Sequence, residues 1–253
     1  MDARSSFALG SGAYAADRPS YPRELFEWVA SMCAGRNCAW DCATGNGQAA
    51  IGLAPWFERV EATDLSPAQI SHAFTAANVR YSARPAECSG FGDESFDLVA
   101  VAQALHWFDL DRYWPEVRRV GRPGAFFCAW GYAWFERTRD LDELYDVYLD
   151  PLAARLAGHW SPSLGLLWNG YRADEIAFPF DRVKSPDFAI RLEWEAARLI
   201  GYVRTWSAYK AASADPATAA TLSDLERAAL DRFDGLGPFP LTLPLSVAAG
   251  PIA

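Results

Sequence analysis

Short apolar runs alternate along the chain with longer stretches in which apolar residues recur every three or four positions. That alternation predicts βαβ units built on a parallel sheet. Leu25, Phe26, Val29 and Met32 share one face of a helix predicted over 22–34, with Pro22 in its first turn and Gly35 as its stop. The first strand is expected at 38–40, followed by a helix over 48–57. A second strand at 60–63 ends at Asp64, after which Ser66-Pro67 offers an N-cap and a first-turn proline for a helix reaching 77. The third strand falls at 79–83. The fourth, 96–102, is apolar almost throughout and reads as buried on both faces. A helix over 112–120 leads through the turn Arg122-Pro123-Gly124 into a fifth strand at 125–130. Beyond Gly131 the regularity changes. Residues 132–175 form an aromatic-rich insertion with a helix around 141–156, and two last strands are predicted at 176–183 and 241–247, separated by helices around 193–206 and 217–233.

Composition narrows what such a sheet can serve. A chain of 253 residues, 51% of them hydrophobic, buries a substantial core. Its net charge of −9 argues against a surface that tracks phosphates, so no nucleic-acid partner is expected. The chain contains no apolar run of about 18 residues, and its start, Met1-Asp2-Ala3-Arg4-Ser5-Ser6, has no apolar signal core. The expected compartment is the cytoplasm, with no membrane partner. Five cysteines without paired zinc spacing read as reduced side chains, and no metal is expected. Eleven tryptophans fit a pocket for a flat or apolar ligand as well as a packed core.

The chemistry concentrates after the first strand. Gly45-Asn46-Gly47-Gln48-Ala49-Ala50 fits the loose dinucleotide pattern G-x-G-x-x-G/A, and Asp64 lies nineteen residues beyond Gly45. Glycines let the backbone turn sharply beside a ligand, and an acid ending the second strand can accept hydrogen bonds from ribose hydroxyls. Nicotinamide cofactors and S-adenosylmethionine both carry that ribose. Asp41 separates them, because a carboxylate just before the loop repels a pyrophosphate but complements an ammonium and a sulfonium. A nicotinamide-dependent oxidoreductase is thus the alternative enzyme, and a catalytically silent S-adenosylmethionine-binding protein the alternative without chemistry.

The run Trp40-Asp41-Cys42-Ala43-Thr44-Gly45-Asn46-Gly47-Gln48, followed by Thr63-Asp64-Leu65-Ser66-Pro67, resembles class I S-adenosylmethionine-dependent methyltransferases. Within them it is most similar to the methyltransferase type 11 group that includes trans-aconitate methyltransferase. Ala86-Glu87, Phe96-Asp97-Leu98-Val99, Gln103-Ala104-Leu105-His106-Trp107-Phe108-Asp109 and Arg122-Pro123-Gly124 extend the resemblance. Tyr14 and Arg18-Pro19-Ser20-Tyr21-Pro22 resemble the group's N-terminal lid, while Gly201-Tyr202 and Thr205-Trp206-Ser207 resemble a late helix facing the pocket. The resemblance implies a Rossmann-like, doubly wound, mostly parallel seven-stranded α/β sheet with an antiparallel last strand. It implies a single domain over 1–253: lid and helix (1–34), cofactor-binding core (35–131), cap insertion (132–175), and the remaining sheet with substrate-facing helices (176–253). S-adenosylmethionine is the implied cofactor, held by Asp41, Ala43, Gly45, Gly47, Asp64, Leu65, Ala86, Glu87 and Gln103. Two positions depart from the pattern. Ala43 replaces the usual first glycine of the loop, and Pro85 stands where many relatives carry an Asp for the adenine amino group.

Methyl transfer from a sulfonium depends on alignment and exclusion of water. A carboxylate acceptor is already ionised and calls for a cationic anchor, for which Arg18 and Arg204 are the candidates. A phenol or alcohol calls for a base, and His106, just past the fourth strand, is the candidate. Tyr14, Trp107, Trp130, Tyr132 and Trp206 are expected to wall a small-molecule pocket. The protein is expected to act as a monomer or homodimer.

Overall fold

The computed structural model describes residues 19–253. Its centre is a seven-stranded sheet in the order β3-β2-β1-β4-β5-β7-β6. The strands are β1 (Cys38–Cys42), β2 (Arg59–Asp64), β3 (Val79–Ala83), β4 (Phe96–Ala102), β5 (Gly121–Tyr132), β6 (Ala189–Trp194) and β7 (Phe239–Pro251). The first five run parallel, and β7 is antiparallel to both β5 and β6. The expected α/β sheet with its antiparallel last strand is therefore present. Among the described residues, no helix is long and apolar enough to cross a membrane.

Strands β1 and β4 are buried almost end to end, as central parallel strands covered on both faces must be. Alternate residues of the strands feed different cores. Trp40, Val99 and Phe127 join Tyr113 and Trp114 of helix α4 (Leu110–Val120) on one side. Ala39, Leu98, Phe126 and Trp130 meet Leu25 and Phe26 of α1 (Arg23–Ser31) on the other. Asp97 pins the sheet at its amino-terminal edge. Its Oδ2 accepts from the amides of Asn37 and Cys38, each at 2.8 Å, and from Arg122 Nη1 at 2.7 Å. The buried carboxylate is thereby paired and hydrogen-bonded.

Several expected elements change. The helix after β1 is α2 (Gln48–Leu53), and the one capped by Ser66 is the single turn α3 (Pro67–Ile70) rather than a helix to 77. That turn stops short of Phe74, whose amide donates to Asn46 O at 3.0 Å and ties the following segment to the glycine loop. The helix around 141–156 is a composite: a 3-10 turn (Arg139–Leu141), one α-turn (Asp142–Leu144), a π-turn (Tyr145–Leu149), and α5 (Asp150–Leu156). Pro151 explains the widened turn, since a proline has no amide hydrogen and its ring crowds the carbonyl four residues back. No strand forms at 176–183; Phe178 and Phe180 pack on Trp114 and Phe127 instead. The sixth strand is β6, and it takes in Glu193, where a helix was expected to begin. Ile190, Leu192 and Trp194 alternate in the strand period, and helix α6 (Ala196–Arg204) starts only afterwards. Helices α7 (Ser207–Ala212) and α8 (Pro216–Phe233) follow, and with α5, α6 and part of β7 they enclose a third core. The cap over the sheet is therefore drawn from the insertion and from late helices together.

Candidate active site

A cavity of about 640 Å³ opens where the carboxyl ends of β1, β2 and β4 face the cap, the position at which open α/β sheets bind ligands. Its floor is the glycine loop. Ala43, Gly45 and Gly47 all have positive φ (+56°, +58° and +86°), which bends the chain sharply out of β1 into α2. For glycine this costs little, whereas Ala43 occupies the left-handed region with a Cβ. Gly47 is required by close approach as well, because a Cβ there would run into the Tyr81 hydroxyl.

Asp64 lines the cavity and is tied to the loop. Its Oδ2 accepts from Gly45 N and its Oδ1 from Ser66 N, each at 2.8 Å. Burial pushes its carboxyl up, opposed by the amides of Ser66, Gly45 and Leu65. Each oxygen keeps lone-pair capacity for a hydroxyl. Leu65 beside it is 56% exposed, an apolar surface on the cavity wall. Pro85, Ala86 and Glu87 continue that wall, and Glu87 Oε1 accepts from Asp109 N at 3.1 Å.

Asp41 is placed differently from expectation. It is fully buried beneath the loop and does not line the cavity. Thr44 Oγ1 donates to its Oδ2, and burial pushes the carboxyl up to about 7. Its Oδ1 has no hydrogen-bond partner among the described residues, and neither does Nδ2 of Asn46, a cavity-lining residue of the same loop. Gly47 likewise supports the loop from outside the cavity lining.

Past β4, Gln103 sits at φ +55° and clasps Tyr132: its Nε2 donates to Tyr132 O and its Oε1 accepts from Tyr132 N, both at 2.8 Å. His106 and Trp107 follow on a 3-10 turn (Leu105–Trp107) and line the cavity. His106 Nδ1 lies 2.9 Å from the hydroxyl of Tyr171, and burial lowers the imidazole to about 4.

Of the expected wall residues, Trp107, Tyr132 and Trp206 line the cavity. Trp130 does not. Its place in the β5 alternation turns it to the opposite core, where it meets Tyr21 and Phe26 edge to face. Arg204 does not line the cavity either, because Glu226 holds it through two hydrogen bonds, at 3.0 and 2.6 Å. Tyr14 and Arg18 lie outside the described residues. Tyr202, expected on a helix facing the pocket, lines the cavity, which also takes in residues that sequence reasoning passed over: Trp134, Trp160, Trp168 and Lys210. Trp134, Trp160 and Tyr202 each pack against Trp206, with ring centroids 5.2–5.6 Å apart, and Trp168 packs on Trp160. The spacing of Tyr202, Trp206 and Lys210, four apart, was the available signal.

The sheet order and a glycine-turned loop opening onto a walled cavity define an enzyme of the Rossmann-like, nucleotide-cofactor class. Residues 40–129 match the family described as "Methyltransferase domain". A solved structure from Anaeromyxobacter dehalogenans, described as a "Putative Type II Methyltransferase", is 38% identical, with 94% of this chain and 99% of that chain covered and a TM-score of 0.82. A Dictyostelium discoideum protein named a "Putative methyltransferase" is 29% identical over 81% of this chain and 78% of its own. A Saccharomyces cerevisiae protein named "Probable S-adenosylmethionine-dependent methyltransferase" is 32% identical over 52% of this chain and 48% of its own. The chain belongs to the class I S-adenosylmethionine-dependent methyltransferases, and S-adenosylmethionine is its cofactor. The nicotinamide oxidoreductase is thereby set aside.

Proposed function

We propose that the protein transfers a methyl group from S-adenosylmethionine to an oxygen of a small, flat, largely apolar molecule. The supporting observation is the single cavity that joins the Asp64 end of the glycine loop to walls of Trp107, Trp134, Trp160, Trp168 and Trp206. Flat apolar surface stacks favourably on indole faces, and Lys210 adds a cation on the cap side suited to an acidic group. The segment from Gln103 to Asp109 resembles that of the type 11 group that includes trans-aconitate methyltransferase, which supports an oxygen acceptor.

The cofactor fits the residues present. Asp64 offers acceptors for the ribose hydroxyls, and Leu65 an apolar face for the adenine. The unpartnered Asp41 Oδ1 and Asn46 Nδ2 match in sign the ammonium and carboxylate of the methionine part. When bound, S-adenosylmethionine supplies an electrophilic methyl group on a sulfonium. Ala86, Glu87 and the Gln103–Tyr132 clasp shape the site around it, and the tryptophans exclude water from the acceptor.

The test is incubation with methyl-labelled S-adenosylmethionine and a panel of aromatic acids, phenols and aliphatic acids, with label followed by mass spectrometry. Label is expected in the aromatic members as esters or ethers, and Trp160→Ala should raise KM for them. Label confined to macromolecules, or only in small polar aliphatic acids, would overturn the reading.

A further inference from the structure

Tyr171 is completely buried, and its backbone is held on both sides. Its amide donates to Leu166 O at 2.8 Å and its carbonyl accepts from Arg182 Nη1 at 2.9 Å. The ring stacks near that of His106, with centroids 6.3 Å apart and planes 22° apart, and the hydroxyl meets Nδ1 at 2.9 Å. Which atom carries the shared proton follows from hydrogen-bond accounting. Leaving a buried hydroxyl proton without an acceptor costs free energy. Nδ1 of His106 is the hydrogen-bond partner the structure gives the Tyr171 hydroxyl, so the hydroxyl proton is directed at Nδ1. The opposite assignment, Nδ1–H donating to the tyrosine, leaves the phenolic proton without an acceptor at a fully buried position. A neutral imidazole carries one proton; if Nδ1 accepts, that proton is on Nε2.

Resting on the methyl-transfer reading above, we propose that Tyr171 locks His106 in its Nε2–H form, so that His106 serves the methyl acceptor as a neutral hydrogen-bond donor and the acceptor is an oxygen that arrives ionised. Tyr171 is then a positioning residue and His106 the group that touches substrate. The fitting class is a flat apolar carboxylic acid. One carboxylate oxygen accepts from Nε2–H, and the other uses a lone pair to form the new O–CH3 bond as the S–CH3 bond breaks, its electron pair passing to sulfur. Anion and sulfonium become a neutral ester and a neutral thioether, and no proton has to leave. A phenol or alcohol would need a base at this point, and the locked tautomer offers none. Burial, which lowers the imidazole to about 4, keeps the ring neutral at physiological pH, in agreement with this role.

Nitrogen NMR of the full chain with labelled histidine tests the lock without any turnover. The three histidines, His72, His106 and His159, are assigned by single substitutions. His106 should show a protonated Nε2 and an unprotonated Nδ1 at neutral pH. Tyr171→Phe should give a mixed tautomer while calorimetric affinity for S-adenosylmethionine stays within about threefold, the fold control. A proton on Nδ1 in the unaltered protein, or an unchanged tautomer in Tyr171→Phe, would overturn the lock. Acceptor class is tested with 2-naphthoate against 2-naphthol: the acid should be methylated at least about tenfold faster, and His106→Gln, which keeps a donor, should retain more of that rate than His106→Ala. Faster methylation of the naphthol, lost in both variants, would establish His106 as a base. Failure of either arm leaves cofactor binding and label transfer to other acceptors intact, so it is distinguishable from failure of the methyltransferase reading itself.

Discussion

Thr44 Oγ1 donates to Oδ2 of Asp41 at 2.5 Å beneath the glycine loop, while Oδ1 of the same carboxyl is sealed off with no partner among the described residues. One bonded and one unbonded oxygen at a fully buried position is a costly arrangement for a full negative charge. The carboxyl responds by holding its proton up to about pH 7.

Cofactor binding should therefore be proton-linked. The carboxyl is neutral below about pH 7 and charged above it, and a cationic ligand favours the charged form, so affinity should fall on acidification by up to about tenfold per pH unit. Because burial holds the folded carboxyl above the usual carboxylate range, the same group makes the ligand-free fold less stable as pH rises from about 4 to about 7. Calorimetry in buffers of different ionisation enthalpy should register proton release on binding near neutrality. Asp41→Asn should abolish that release and weaken binding; an unchanged proton count in the variant would count against Asp41.

Ala43→Gly should stabilise the protein. The backbone sits at φ +56°, where a side chain costs about 1 kcal/mol or more, partly offset by the greater freedom of glycine in the unfolded chain. Urea unfolding should move to a higher midpoint, corresponding to a gain in stability of up to about 1 kcal/mol, with cofactor affinity no lower than before.

Arg204→Met should destabilise the cap without touching the cofactor. Glu226 is almost fully buried and holds both Arg204 and the Tyr209 hydroxyl, so removing the guanidinium strands a buried carboxylate, a loss on the order of 2 kcal/mol once the solvent exposure of Arg204 is discounted. Thermal unfolding should show the loss, and calorimetry with S-adenosylmethionine should show an unchanged Kd. A selective fall in cofactor affinity would contradict the separation of this pair from the site.

The strands most fully written in the sequence were those whose pattern admits one reading. β4 appears with the predicted bounds because an apolar run of that length between turn signals fits a buried strand, and β3, a partly exposed edge strand, because Val79 and Tyr81 alternate with Arg80 and Ser82. The element at 189–194 was hidden because Trp194, Leu199 and Tyr202 also fit a helical period, and only pairing with β7 settles such a segment as a strand. The run at 176–183 failed in the opposite sense, its aromatics being claimed by Trp114 and Phe127 rather than by a ladder.

By itself, the sequence determined the cofactor end: a glycine loop after the first strand, an acid after the second, and the spacing between them are local features, set by backbone conformation and strand length. Tertiary structure decided which side chains face the ligand. Trp130 and Trp206 look alike in sequence, and only the sheet's two-faced alternation and the packing of α6 and α7 send one to the far core and the other into the cavity. Asp41 shows the same division, since the residue type announces a negative charge but burial beneath Thr44 decides that it carries a proton near neutrality.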